Sequence, residues 1–293
     1  MFAIAYRMLG SVGDAEDIVQ EAFLRYHQAV SEQASVESPR AFLATVTTRL
    51  SVDFLRSARV RREAYLGPWL PEPLLADPAA PDPARHAEDA DSLSMAFLLV
   101  LERLNPVERA VFLLRDVFGY GYDEVARIVG KSESNCRQLA LRARRHVTEH
   151  KPRFESSRQQ RETLAARFFA ALADGAVDDL VTMLADDVVV FGDGGGTSPS
   201  WPRPIAGRDR VSRLLAGVGQ QIGEIGARIE RAEVNGQPGA VVYDGDGGVI
   251  SVFCLEIAGG LIQTFRSVIN PAKLRHIGPL TTLREQRGQN HPG

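Results

Sequence analysis

Apolar side chains recur at helical spacing through roughly the first half of the chain and give way to alternation and short apolar runs only beyond residue 187. Two architectures follow one another. Residues 2–30 read as helix in two pieces, broken near Gly10-Ser11-Val12-Gly13. The second piece has Asp14 as the expected N-cap, Glu16 and Asp17 in its first turn, and Ala15, Ile18, Val19, Ala22, Phe23 and Tyr26 as its apolar stripe. That leaves Asp17, Gln20, Glu21 and Arg25 as a polar face. After a polar loop at 31–38, Pro39 opens a helix to about Arg62, with Phe42, Val46, Leu50, Phe54 and Leu55 expected inward and arginines outward.

A second helical group spans 93–151. A helix at 93–103 precedes Asn105, a cap, and Pro106 at the first helical position of a helix running to about Val117. Gly119-Tyr120-Gly121 breaks it. A short helix at 122–129, the Gly130-Lys131-Ser132 turn and a basic helix at 133–149 then form the sequence signature of a helix-turn-helix. In its last helix Cys136, Leu139 or Ala140, Ala143 and Val147 make the inward stripe, and Glu133, Ser134, Arg137, Gln138, Leu141 and Arg142 face outward. Arg144 and Arg145 stand where flanking phosphates would lie. Such a helix fits a major groove, and Arg and Gln suit guanine and adenine edges.

The remainder changes period. Helices at 158–173 and 176–184, a strand at 188–191, a Gly-rich loop and a helix near 207–221 lead to strands at 227–234, 239–243, 248–258 and 260–269, the last two joined by Gly259-Gly260. The order predicts an α+β domain, a curved antiparallel sheet wrapping helices into a cone at 158–284, with a frayed tail at 285–293.

Charge alters the picture only when counted by segment. The net charge of −3 hides six arginines against one aspartate over 38–62, and six Lys/Arg against two glutamates over 131–151. Between the two lie seven acidic residues, one arginine and six prolines over 63–92, an acidic, semi-extended linker. A basic helix face alone describes a solvated surface as well as a nucleic-acid contact; two such modules on one tether favour a shared polyanion. Other classes recede. The two cysteines, Cys136 and Cys254, form no disulfide framework or metal motif, and His146 with His150 supplies two ligands without a third, so neither a metal nor a cofactor is expected. No apolar run reaches the ~18 residues that would cross a bilayer, which predicts a cytoplasmic protein without a membrane partner.

Several of these stretches resemble one family. Asp14 to Arg25 resembles the polymerase-binding helix of region 2 in extracytoplasmic-function sigma factors, Pro39 to Leu43 through Asp53 to Arg56 resembles its promoter −10 reader, and residues 104–145 resemble region 4, the −35 reader. Trp69-Leu70-Pro71-Glu72-Pro73, Asp193-Gly194-Gly195-Gly196 and Asn270-Pro271-Ala272-Lys273-Leu274 are similar to motifs of the sigma-J type, which carries a SnoaL-like C-terminal extension. Thr197 stands where that loop usually continues with lysine, and Ala272 where an aspartate is usual; the chain opens inside what resembles the first region 2 helix.

The resemblance implies two all-α sigma domains, 1–62 and 93–151, and the cone. It implies docking on core RNA polymerase through Asp17, Gln20, Glu21 and Arg25, contact with −10 promoter DNA through Arg49, Asp53, Arg56, Arg59, Arg61 and Arg62, and −35 contact through Ser134, Arg137, Gln138, Arg142, Arg144 and Arg145. Trp69, Leu70, Pro71, Glu72 and Pro73 are expected to meet the extension at Asp193, Gly194, Gly195 and Gly196 and at Asn270, Pro271, Lys273 and Leu274, an intramolecular regulatory contact. No quoted residue points to a separate anti-sigma partner. Two other classes carry the same helix-turn-helix: a repressor or activator sensing a ligand through the cone, and a SnoaL-like enzyme fused to a DNA-binding module. For the enzyme only Asp186, Asp187 and Asp193 offer acid–base chemistry, without a legible nucleophile–base pair, so no catalytic residue is assigned.

Overall fold

The computed structural model describes residues 1–32, 36–63, 65–76, 92–150, 157–198 and 200–281. The chain divides into two compact units: Met1–Ala64 with Met95–Pro152, and Tyr65–Ser94 with Arg153–Gly293.

The first unit is helical. Helix α1 (Phe2–Leu9) stops at Gly10, whose φ of 67° is left-handed, and α2 (Val12–Ser31) starts at once. The cap is Ser11 rather than Asp14: Ser11 is extended and its Oγ accepts the Asp14 N–H at 3.2 Å, which places Asp14 in the first turn. Ala15, Ile18 and Ala22 are buried as expected, but Phe23 is turned outward and 51% exposed. Helix α3 (Pro39–Glu63) also departs from its pattern. Its buried face holds Ala44, Thr47, Thr48, Ser51, Val52 and Leu55, while Phe42, Val46, Leu50 and Phe54 are only half-buried. Small residues let helices approach closely, and Ser51 Oγ satisfies itself on the Thr47 carbonyl at 2.8 Å, so small size outweighs apolarity here.

Helices α4 (Met95–Glu102) and α5 (Pro106–Phe112) follow, with Asn105 Oδ1 accepting the Glu108 N–H at 2.9 Å. The expected run to Val117 is completed by a π-helical turn, Leu113–Val117. Helix α6 (Tyr122–Val129) ends at left-handed Gly130, and α7 (Glu133–His150) begins beyond Ser132, whose Oγ accepts the Asn135 N–H at 3.3 Å. Cys136, Leu139, Ala140, Ala143 and Val147 are all buried, as their spacing predicts.

The second unit packs α8 (Arg158–Asp174), α9 (Val177–Met183) and α10 (Arg208–Glu224) on a six-stranded sheet of order β2-β1-β6-β5-β4-β3. The strands are β1 (Leu184–Asp193), β2 (Ile205–Ala206), β3 (Arg228–Val234), β4 (Gln237–Tyr243), β5 (Val249–Ala258) and β6 (Leu261–Val268). The sheet is mixed rather than wholly antiparallel. β1 pairs with β6 in parallel, because the chain leaves β1 through β2 and α10 and reaches β6 only after three further strands. The turn between β5 and β6 does form as expected, with positive φ at both Gly259 and Gly260.

β5 is buried on both faces. Phe253, Leu255 and Ile257 belong to the core beneath the helices, where Phe168, Phe169, Phe253 and Phe265 pack in tilted and edge-to-face pairs with ring centroids 4.9–5.9 Å apart. Val252, Cys254 and Glu256 face the other way and are buried too, and burial pushes the Cys254 thiol up to about 12. Residues 65–76 belong to this unit: Leu75 bridges Val234, and the N–H groups of Ala76 and Asn235 donate to the carbonyls of Glu233 and Leu74. At its N-terminal end the expected solvated linker is therefore a strap.

Candidate nucleic-acid interface and linker strap

In the first unit, α6 and α7 hold the side chains expected to meet DNA. The buried stripe of α7 turns Ser134, Arg137, Gln138, Leu141, Arg142, Arg144 and Arg145 to solvent, and Leu141 is 67% exposed. An exposed leucine among polar residues has the chemistry to contact a thymine methyl, and it was not among the site residues assigned from the sequence. Arg137 lies over the Tyr122 ring at 4.6 Å and pairs with Glu133 at 3.1 Å, while Arg142 pairs with Glu108 at 3.1 Å. Both guanidinium groups are exposed, so these pairs are weak and exchangeable. Arg144 is held more closely: its Nε donates to Asp116 at 2.7 Å and its Nη2 to the Tyr122 hydroxyl at 3.3 Å, and the Asp116 hydrogen bond raises its pKa. That places Arg144 in the support of the turn.

Arg49 and Arg56 sit on the exposed face of α3. Arg56 pairs with Asp53 at 3.2 Å, so two of the residues expected at the −10 element bind each other. Arg49 donates through Nε to the Ile128 carbonyl at 2.9 Å and through Nη2 to the Arg127 carbonyl at 3.0 Å. Those oxygens close the C-terminal end of α6, where the helix dipole favours a cation. The side chains of Arg59, Arg61 and Arg62 lie outside the described residues. Two buried cations complete the packing of the two helical groups. Arg109 donates to the Met8 carbonyl, and Arg7 lies 5.4 Å over the Phe118 ring. Neither was read from the sequence, because an arginine gives no sign of whether its helix face is covered.

On α2, Asp17 and Gln20 are exposed, and Arg25 pairs with Glu21 at 2.7 Å. Phe23, Leu24 and Val30 are exposed on the same helix at 51%, 60% and 51%. An apolar strip rimmed by charge is the composition of a protein-binding surface.

The second unit holds a separate centre built on Asp193, which is fully buried. Its Oδ1 accepts the Tyr65 hydroxyl and the Gly195 N–H at 3.1 Å; its Oδ2 accepts the Leu70 N–H at 2.8 Å and Lys273 Nζ at 2.7 Å. Lys273 also donates to the Leu70 carbonyl and lies 4.3 Å over the Trp69 ring and 4.9 Å over that of Tyr65. Asn270 Nδ2 donates to the Tyr65 oxygen at 2.9 Å. Burial, then the Asp193 hydrogen bond, pushes the Tyr65 phenol well above its ordinary value. The glycine loop is needed for closeness: a Cβ on Gly195, where φ is 61°, would collide with the Asn270 amide. Pro71 and Pro73 are buried and adjoin this centre along the chain, the Pro73 carbonyl accepting from His276 Nε2 at 2.7 Å; Glu72, Gly194, Gly196, Pro271 and Leu274 also flank it along the chain.

The motifs at 69–73, 193–196 and 270–274 thus converge on one carboxylate, and Tyr65, which none of them includes, joins it. The three aspartates considered for acid–base chemistry are dispersed. Asp193 is under the strap, the Asp186 side chain is 90% exposed against Arg208 at 2.9 Å, and Asp187 is exposed. Among the described residues no group of three or more His, Cys, Asp or Glu is placed to hold a metal ion, and no helix is long and apolar enough to cross a membrane.

Comparison with known proteins agrees with this layout. Residues 1–61 match the family described as sigma-70 region 2, residues 94–147 sigma-70 region 4, and residues 165–266 a SnoaL-like domain. The chain is similar to the ECF RNA polymerase sigma factor SigJ of Mycobacterium tuberculosis (strain ATCC 25618 / H37Rv), at 38% identity over 99% of this chain and 96% of that protein. It is 31% identical to the probable ECF RNA polymerase sigma factor SigI of the same strain, over 92% of this chain and 90% of the relative. The crystal structure of M. tuberculosis SigJ superposes with a TM-score of 0.74 at 35% identity, covering 96% of each chain.

Proposed function

Because the chain belongs to the extracytoplasmic-function RNA polymerase sigma factors, proteins that direct transcription, we propose how its surfaces divide that work. Asp17, Gln20, Glu21 and Arg25, with Phe23 and Leu24 between them, dock on core RNA polymerase. Arg49, Asp53 and Arg56, continued by Arg59, Arg61 and Arg62, meet the −10 element and its phosphates. The α7 face reads the −35 element: Arg137 and Gln138 address base edges, Leu141 a methyl group, Ser134, Arg142 and Arg145 the flanking backbone, and Arg144 does so only on leaving Asp116. The Asp193 strap fixes the path of the linker, so the extension regulates by setting where the linker starts its run between the two readers. The protein acts in the cytoplasm, requires no cofactor and catalyses no reaction of its own.

The observation that carries the reading is the turn between α6 and α7, with its left-handed Gly130 and Ser132 cap, which presents Arg137, Gln138 and Leu141 together above a buried stripe of small residues. Opening promoter DNA unstacks bases at a cost of a few kcal/mol, which phosphate contacts and polymerase must offset together. The test is in vitro initiation with core polymerase. Transcripts are expected from a promoter with both elements and from neither half alone, and a chain truncated after about residue 158 is expected to start with altered efficiency or spacing preference. Duplex binding without initiation would instead describe a repressor.

A further inference from the structure

Tyr122 opens α6 directly after the Gly119-Tyr120-Gly121 break, and its backbone is fixed there by a cap: the Gly121 N–H donates to Glu124 Oε2 at 2.8 Å. Arg137 and Arg144 stand seven residues apart on α7, two helical turns, so they share a face. The π-helical turn Leu113–Val117 supplies Arg115 and Asp116.

These side chains meet at one ring. The guanidinium of Arg137 lies over the Tyr122 ring at 4.6 Å and that of Arg115 at 4.9 Å, while Arg144 Nη2 donates to the Tyr122 hydroxyl at 3.3 Å. Two of the three cations are anchored elsewhere as well. Arg115 Nη1 donates to the Tyr120 carbonyl at 2.9 Å, and Arg144 Nε to Asp116 at 2.7 Å. Arg137 has a lighter second hold, an exposed pair with Glu133 at 3.1 Å through Nη2. A cation over the face of a ring spends no N–H donor on it, so the ring contact leaves the guanidinium fork open to an incoming acceptor.

We propose that Tyr122 is a positioning residue for base recognition: its ring holds the Arg137 guanidinium in the orientation in which it meets a base edge, and Arg115 and Arg144 hold the ring. The proposal rests on the −35 assignment of Arg137 made above and adds to it a side chain that acts through another. Arginine has many rotamers, and a platform that restricts them before DNA arrives lowers the cost of each bidentate contact. The effect falls on selectivity at one base pair rather than on total affinity, which phosphate contacts dominate.

The experiment selects from a pool of promoter duplexes, randomised over both elements, with core polymerase holoenzyme carrying the full-length chain, and reads base preference by sequencing. Arg137→Ala is expected to flatten preference at one −35 position by at least about fivefold. Tyr122→Leu is expected to weaken the preference at that same position about two- to fivefold, with no further change when added to Arg137→Ala. Tyr122→Phe keeps the ring and is expected to keep the preference to within about twofold, which a role carried by the hydroxyl or by side-chain bulk would not give. Preference flattened by Arg137→Ala but untouched by Tyr122→Leu would overturn this proposal alone. So would additive losses in the double variant, or a loss in Tyr122→Phe as large as that in Tyr122→Leu; the phenylalanine variant decides the matter where the leucine variant fails to fold. No change in Arg137→Ala would overturn the base assignment and this proposal with it.

Discussion

The reading surfaces of the first unit and the Asp193 centre of the second use the same chemistry, cations facing oxygens, in opposite settings. On α3 and α7 the pairs Arg56–Asp53, Arg137–Glu133 and Arg142–Glu108 are exposed, each a contact water can replace. Around Asp193 the pair is buried, and every lone pair has a donor. An exposed pair contributes about 0–1 kcal/mol, whereas breaking a buried one strands a charge at about 3–5 kcal/mol. Pairs that water can exchange are thus kept wet, and the pair that holds residues 65–70 is kept dry.

The contrast breaks most visibly at Lys273. Lys273→Ala leaves Asp193 buried without its cation and is expected to lose about 3–5 kcal/mol in urea unfolding of the full chain, with Trp69 fluorescence changing as the strap detaches. A loss below about 1 kcal/mol would place the centre with the surface pairs. Next comes Arg137→Ala, expected to remove about 1–3 kcal/mol of discrimination at one −35 base pair, measured by competition between promoter variants bound to holoenzyme. Its unfolding free energy is expected to move by less than about 0.5 kcal/mol, since only an exposed pair is lost. Unchanged base preference would refute the assignment.

Arg49 tests the middle ground. Arg49→Ala deletes two bonds to carbonyls and is expected to cost about 1 kcal/mol of stability, against about 0.5 kcal/mol or less for Arg56→Ala, by parallel denaturant titrations. Equal costs would mean that the carbonyl contacts hold nothing. The smallest effect belongs to Asp244, a carboxylate held by neutral donors alone. Burial raises its pKa, but hydrogen bonds from Thr281, Gly248 and Asp246 outweigh this and lower it overall. Its folded pKa lies below the unfolded one, so its contribution is present above the ordinary carboxylate range and lost as pH falls through the folded value. Thr281→Val is expected to flatten the acid limb of stability below about pH 4, read as urea midpoint against pH.

What could be read in advance follows the range of the signal. The caps at Asn105 and Ser132, the turn at Gly130 and the stripe from Cys136 to Val147 are local, and each was legible because its partners lie within four residues. The parallel β1–β6 pair was not, since no local pattern encodes which distant strand a strand meets. The buried face of α3 was misread for another reason: Thr47, Thr48 and Ser51 are buried by close helix approach, which periodicity scored by apolarity misses. At the Asp193 centre the motif residues were known only through resemblance, and the chemistry joining them emerged when Tyr65 and Leu70 came to lie on the same carboxylate. The outward turn of Phe23 breaks the apolar pattern of α2, and such an exception points to a partner.

The Arg49 contact has a meaning beyond packing. The paired N–H groups of Arg49 grip two oxygens 2.9 and 3.0 Å away, much as they would grip a phosphodiester, and those oxygens belong to the protein's own peptide bonds. In the assigned role of Arg49, the first rival of the promoter for this side chain is the folded chain itself. On that assignment a helix end would serve as an internal decoy for nucleic acid, and engagement with a gene would begin by dislodging it.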